Sequence, residues 1–264
     1  LATNVATANK WDGMDCPTPA QYRAIISLED PYRYDDGSLT VSSVTVSGKC
    51  CYHYQGHDCT RGGRPFLVQG EQRVASLRGD GAAPSQWLAD ARVEHASIAA
   101  FARLSLQLMA LGAPTELVRD AQLASLDELR HAELFFELAS REAGSRLRPG
   151  ALDLTGALDD LSLADLIESN LLEGCIGETQ AAEQLRRRAA SIGDATLRAS
   201  LLATADDETR HAALAFRILA WCRDTAPELP RSTLARVVKD EAPNRSEDGT
   251  WQHVLAPLLC ALTA

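Results

Sequence analysis

Six residues of this 264-residue chain have the types and the spacing of a metal-ligand set. The segment Asp127-Glu-Leu-Arg-His131 recurs as Asp207-Glu-Thr-Arg-His211. Each copy contains Glu-x-x-His, and a three-residue spacing sets carboxylate and imidazole on one face of a helix. Each copy also has a glutamate far upstream: Glu94 lies 34 residues before Glu128, and Glu173 lies 35 before Glu208. A helical hairpin that climbs for ~17 residues and returns for ~17 covers ~25 Å each way, so its two ends arrive at one height. Two such hairpins, packed together, would set four carboxylates and two imidazoles at one level. Carboxylates with two histidines suit a pair of iron or manganese ions.

An isolated Glu-x-x-His is common by chance, and most helical glutamates are solvated. The recurrence carries the argument, because the same Asp, Arg and following Ala accompany both copies. The flanks add to it. Ile98 and Phe101 follow Glu94 at helical spacing, Phe135 lies one turn beyond His131, and Leu201 and Ala215 are expected on the metal-facing side of the fourth segment. Charges on an apolar stripe must be paired or metal-bound, since desolvation alone is costly. The competing reading is an ion-pair network or a solvated face.

The elements that must position these residues read as four long helices. Ser85 can cap one from Gln86 to about Met109, and Thr115 can cap a second to about Ala143 after the turn Leu111-Gly-Ala-Pro-Thr115. A third runs from near Ser162 to about Ala190, and a fourth from about Ala195 to Arg223. None has an internal proline, and helix-forming residues dominate. This is a duplicated hairpin with a longer crossover over about residues 144–161.

The third segment offers two glutamates, Glu173 and Glu178, in Leu172-Glu-Gly-Cys-Ile-Gly-Glu178. Five residues amount to ~140° of rotation, so an ideal α-helix cannot aim both at one point. Glu173 fits the spacing of the first half; Glu178 is the additional candidate. The two glycines weaken an ordinary helix by ~1 kcal/mol each. They serve either close packing or a π-bulge that swings Glu178 inward. His95, about 100° round from Glu94, reads as structural rather than as a seventh ligand.

Before residue 84 the composition changes to glycine, serine, threonine, tyrosine and cysteine. Residues 38–47 read as β structure, and residues 64–68 as another short strand. Cys16, Cys50, Cys51 and Cys59 could form two disulfides, which favours an exported protein. The alternative is a metal site with His53 and His57, or reduced thiols in a cytosolic protein, but Cys-x-x-Cys spacing is lacking. Cys175, Cys222 and Cys260 fall in helical segments, where buried structural thiols are usual. After Pro230, residues 231–241 and a stretch begun by Thr250, with Trp251, Leu255 and Leu258, read as short helices.

The fold expected is mainly α: residues 1–84 a Cys-containing β/loop region, 85–226 a four-helix bundle, and 227–264 a short helical extension. The formal charge of −10 argues against nucleic acid. No apolar run reaches the ~20 residues that span a bilayer. Phosphate loops and nucleophile elbows are lacking too.

Over about residues 85–223 the pattern resembles the ferritin-like superfamily of carboxylate-bridged di-iron proteins. The Asp-Glu-x-Arg-His wording is closest to the oxygen-activating branch, such as bacterial multicomponent monooxygenase hydroxylases and acyl-carrier-protein desaturases. The resemblance implies Glu94, Glu128, His131, Glu173, Glu208 and His211 as iron ligands, with Glu128 and Glu208 bridging and Glu94 and Glu173 terminal. It also implies that Asp127 supports His211 and Asp207 supports His131, fixing the tautomer of each ligand. Arg130 and Arg210 would balance negative charge, or form plain surface salt bridges.

The expected function is therefore an oxidase or oxygenase. Two iron ions, with manganese or a mixed pair as alternatives, would use O2 to oxidise a small organic or peptide substrate. An electron-donor protein and a homodimer are admitted as partners. The other readings are a ferroxidase or iron-storage protein, a rubrerythrin-like peroxidase, and an exported module whose metal is purely structural.

Overall fold

The computed structural model describes residues 63–79, 85–159, 162–228, 232–233, 235–236, 254–255 and 257, together with the backbone of strands at 4–7, 40–46 and 49–55. Contacts divide the chain into two units, Leu1–Thr60 and Arg61–Ala264.

The first unit carries a three-stranded antiparallel sheet. Strands β1 (Asn4–Thr7) and β2 (Thr40–Val46) flank β3 (Lys49–Gln55). Thr40 pairs with Gln55 and Val46 with Lys49, as the alternating Val/Thr/Ser pattern favours. The side chains of Cys16, Cys50, Cys51 and Cys59 lie outside the described residues, as do Cys260 and most of the stretch begun by Thr250, of which Leu255 is described and is buried in the core.

The second unit is mainly helical. Helix α1 (Gln86–Ala110) starts at Ser85, whose hydroxyl accepts the Leu88 N–H. Helix α2 (Thr115–Ala143) starts differently from expectation. Pro114 holds the cap position with no side-chain hydrogen bond, and Thr115 is already helical. Proline fits an N-terminus because the amide it lacks would have had no partner there. Gly144 ends α2 in the left-handed conformation, φ 64°.

The third segment is interrupted. Helix α3 (Leu163–Ser169), opened by a reciprocal Ser162–Asp165 capping box, runs into a π-helix over Asn170–Glu178. Helix α4 (Thr179–Ser191) continues it. Asp194 then caps α5 (Ala195–Thr225) by accepting from the amides of Thr196 and Leu197. Crossing ion pairs join α2 to α5: Asp120 to Arg217 at 2.6 Å and Arg210 to Asp127 at 3.6 Å. No described helix is long and apolar enough to cross a membrane.

Residues 63–79, grouped by composition with the amino-terminal region, belong with the helices. Phe66 and Val68 pack on Ala96 and Ala100 of α1. Ser97 donates to the Arg64 carbonyl at 2.7 Å. The Gly63 amide donates to the Gly177 carbonyl of the π-helix at 3.0 Å. One core at the α1–α2 turn end gathers Phe101, Leu104, Leu166, Leu171 and Ile218. A second, with Phe135, Leu147, Leu185 and Leu201, closes the other end. The polar centre lies among these helices, walled by apolar side chains.

Candidate metal centre

Four elements deliver the charged side chains. Glu94 comes from α1, Glu128 and His131 from α2, Glu178 from the end of the π-helix, and Glu208 and His211 from α5. All six are buried or nearly so, with Glu94 the most exposed at 9% and Glu178 and Glu208 at 0%. They form two groups, each with ligand atoms within 4.8 Å of one another. One is Glu94, Glu128, His131 and Glu208; the other is Glu128, Glu178, Glu208 and His211. Glu128 and Glu208 belong to both. These Glu/His groups could each hold a metal ion.

The imidazoles are oriented alike. His131 Nδ1 faces inward, 3.4 Å from Glu208 Oε1 and 3.7 Å from both Glu94 and Glu128. His211 Nδ1 lies 3.1 Å from Glu128 and 3.1 Å from Glu208. The outward nitrogens cross over between the halves. His131 Nε2 is 3.0 Å from Asp207, and His211 Nε2 is 3.3 Å from Asp127. An aspartate accepting from Nε2–H leaves Nδ1 free to coordinate. Arg130 and Arg210, more than half exposed, each bridge Asp127 and Asp207. They are salt-bridge partners of the aspartates.

Several buried ligand atoms find no hydrogen-bond partner: both oxygens of Glu128 and of Glu178, one each of Glu94 and Glu208, and His131 Nδ1. Orphaned acceptors of this kind are costly in a protein interior. Their convergence on two points fits cations. Oxygen and imidazole donors without thiolate suit iron, manganese or zinc.

The electrostatics follow from crowding. Burial first, and neighbouring carboxylates second, push Glu94 and Glu178 well above the usual carboxylate range. Burial opposes ionisation of Glu128 and Glu208 as well, but His131 and His211 outweigh it and hold both below that range. Burial disfavours charge on the imidazoles too. Glu128, Glu208 and Glu94 around His131, and Asp127, Glu128 and Glu208 around His211, reverse the balance and raise both.

Glu173 corrects the expected ligand set: it stands in neither group. Arg64 Nη1 lies 3.5 Å from one of its oxygens and Arg103 Nη2 lies 3.3 Å from the other. The reason is the π-helix. Its wider turn brings residues 173 and 178 nearer to one face than the ~140° of an α-helix, and Glu178 is the one grouped with Glu128 and Glu208. The glycines serve close packing in the same stretch. A Cβ on Gly177 would meet the Gly63 carbonyl at 2.4 Å, and one on Gly174 would meet Arg64 at 2.4 Å and Ala215 at 2.6 Å. His95 joins neither group.

Sequence reasoning missed Arg64, Arg103 and Asn170. Arg64 is 2% exposed, donates to Asn170 Oδ1 at 3.0 Å, and lies over the Phe101 ring at 4.9 Å. Asn170 in turn donates to the Ala215 carbonyl at 2.8 Å. A single arginine more than 100 residues from its partners leaves no periodic or repeated signal in the chain.

Comparison of the chain with protein-family models, curated proteins and solved structures gave no match.

Proposed function

We propose that the helical unit is a four-helix bundle of the ferritin-like kind whose two groups hold a pair of iron ions, manganese or a mixed pair being the alternatives. It would use O2 to oxidise a small organic or peptide substrate, with electrons returned by a donor protein. The observation that carries this reading is the sharing of Glu128 and Glu208 by two buried ligand groups. When bound, the metals supply the electrons that dioxygen accepts.

The chain's own residues supply the rest. Glu128 and Glu208 would bridge, Glu94 and His131 would complete one position, and Glu178 and His211 the other. Four carboxylates balance the charge of two divalent cations. Asp127 and Asp207 hold the imidazole protons on Nε2, so Nδ1 keeps its lone pair turned inward. Phe101, edge-on to His211 at 4.9 Å, helps to exclude water. The π-helix at Asn170–Glu178 supports a functional role for this segment, because π-segments interrupting a helix commonly mark functional sites.

Anaerobic loading with Fe2+, elemental analysis and an oxygen electrode test the reading. The protein is expected to retain about two iron ions per chain and to consume O2 on mixing. Glu128→Ala should lose both ions; Glu178→Ala should keep about one, since one group does not include it. Trace iron in the wild type, or full iron in Glu128→Ala, refutes the proposal. Turnover with peroxide but not O2 would make the protein a peroxidase instead.

A further inference from the structure

The buried pair Arg64–Glu173 has no part in the ligand set, yet it lies against it. Arg64 Nε is 3.8 Å from Glu178 Oε1, and neither atom has a hydrogen-bond partner. The same guanidinium reaches Glu173 at 3.5 Å and Asn170 at 3.0 Å. Arg64 therefore sits between two carboxylates one wide turn apart on the π-helix, and only one of them belongs to a metal group. Its place is built in. The residue is clamped by the Ser97 bond to its carbonyl and by Phe101 beneath its guanidinium, and Gly174 leaves the space it fills. Arg103, which also donates to the Leu67 carbonyl, holds Glu173 from the other side.

Resting on the dinuclear reading above, we infer that Arg64 and Glu173 act together as positioning residues for Glu178, and so set the affinity of the second cation position (Glu128, Glu178, Glu208, His211). Arg64 ties Glu173 back from the cations, so that Glu173 does not compete with Glu178 for them. Glu173 in turn occupies the Arg64 charge, which would otherwise draw Glu178 off the metal. Each residue guards against the other's harm. Losing either alone is damaging, and losing both restores balance.

A double-mutant cycle on the full chain reads this directly. Metal-free wild type, Arg64→Met, Glu173→Gln and the double variant are titrated calorimetrically with Mn2+. Electron paramagnetic resonance then separates a coupled Mn2+ pair from a single ion. Each single variant is expected to weaken the second Mn2+ about tenfold or more, the usual effect of altering a ligand's support. The first Mn2+ should stay within about twofold of wild type, and the double variant should recover the coupled signal. Singles that match wild type, effects that multiply in the double, or equal weakening of both ions overturn the inference. Wild type that binds two ions with unaffected singles overturns it alone; wild type that binds none removes the dinuclear reading with it. Should Arg64→Met not fold, Glu173→Gln retains the packed arginine and must still weaken the second ion, or the inference is overturned.

Discussion

Chelation should destabilise this protein by an amount that the clustered charges let one work out. The four carboxylates Glu94, Glu128, Glu178 and Glu208 fall within groups whose ligand atoms are no more than 4.8 Å apart. At an effective dielectric of about 20, each like-charged pair at that distance repels by roughly 3–4 kcal/mol. Metal-free protein relieves part of this by keeping protons on Glu94, Glu178 and the imidazoles, as their raised pKa values require. Cations relieve it directly. An ion at 100 times its Kd adds about 2.7 kcal/mol, so two give about 5 kcal/mol. For a unit of this size that is a Tm rise of roughly 10–20 °C. Differential scanning calorimetry of chelated and Mn2+-loaded protein measures it. Glu128→Ala, which removes a ligand from both groups, should abolish most of the rise; Glu94→Ala should leave roughly half. A wild-type Tm indifferent to chelator, or a full rise in Glu128→Ala, would refute the reasoning.

The pH dependence has a definite sign. Raised groups stabilise the fold below their unfolded pKa and lose that contribution as pH climbs through the folded value. Glu94, Glu178, His131 and His211 are all raised, so metal-free protein should lose Tm from about pH 5 upward, and further above about 6.5. Loaded protein should lose less, because cations replace those protons; parallel melting curves across pH would contradict this. Asp127→Asn, which takes the negative charge from the acceptor at His211 Nε2, should weaken Mn2+ binding about 10–100-fold with little change in helix content, read by titration and circular dichroism. Gly177→Ala drives a methyl group into the Gly63 carbonyl and should cost about 1–3 kcal/mol in denaturant unfolding; an unchanged midpoint would show that the two backbones separate freely.

Much of the site was legible before any coordinates. Glu128, His131, Glu208 and His211 announce themselves because a repeated i, i+3 pair needs only a helix to bring its members together, and helix formation is local. Glu94 followed from the length of a hairpin. The crossing of Asp127 to His211 and Asp207 to His131 came from family resemblance rather than spacing, and the structure places the same residues together. Ser85 acts as the cap its type suggests and the third segment starts at Ser162 as expected, whereas Pro114 displaced Thr115 because the backbone geometry there suits proline.

By itself, then, the chain determined where α1, α2 and α5 form and which of their residues share the face that enters the buried Glu/His groups, since both depend on residues a few positions apart. Only the tertiary structure decided between Glu173 and Glu178. That choice depends on a nine-residue π-helix and on Arg64 and Arg103, which arrive from remote parts of the chain to hold Glu173 aside. Helical periodicity measured along one segment assumes 3.6 residues per turn and carries no record of what packs against it. Where the turn widens under contacts made from afar, the direction of a side chain is a property of the assembled fold.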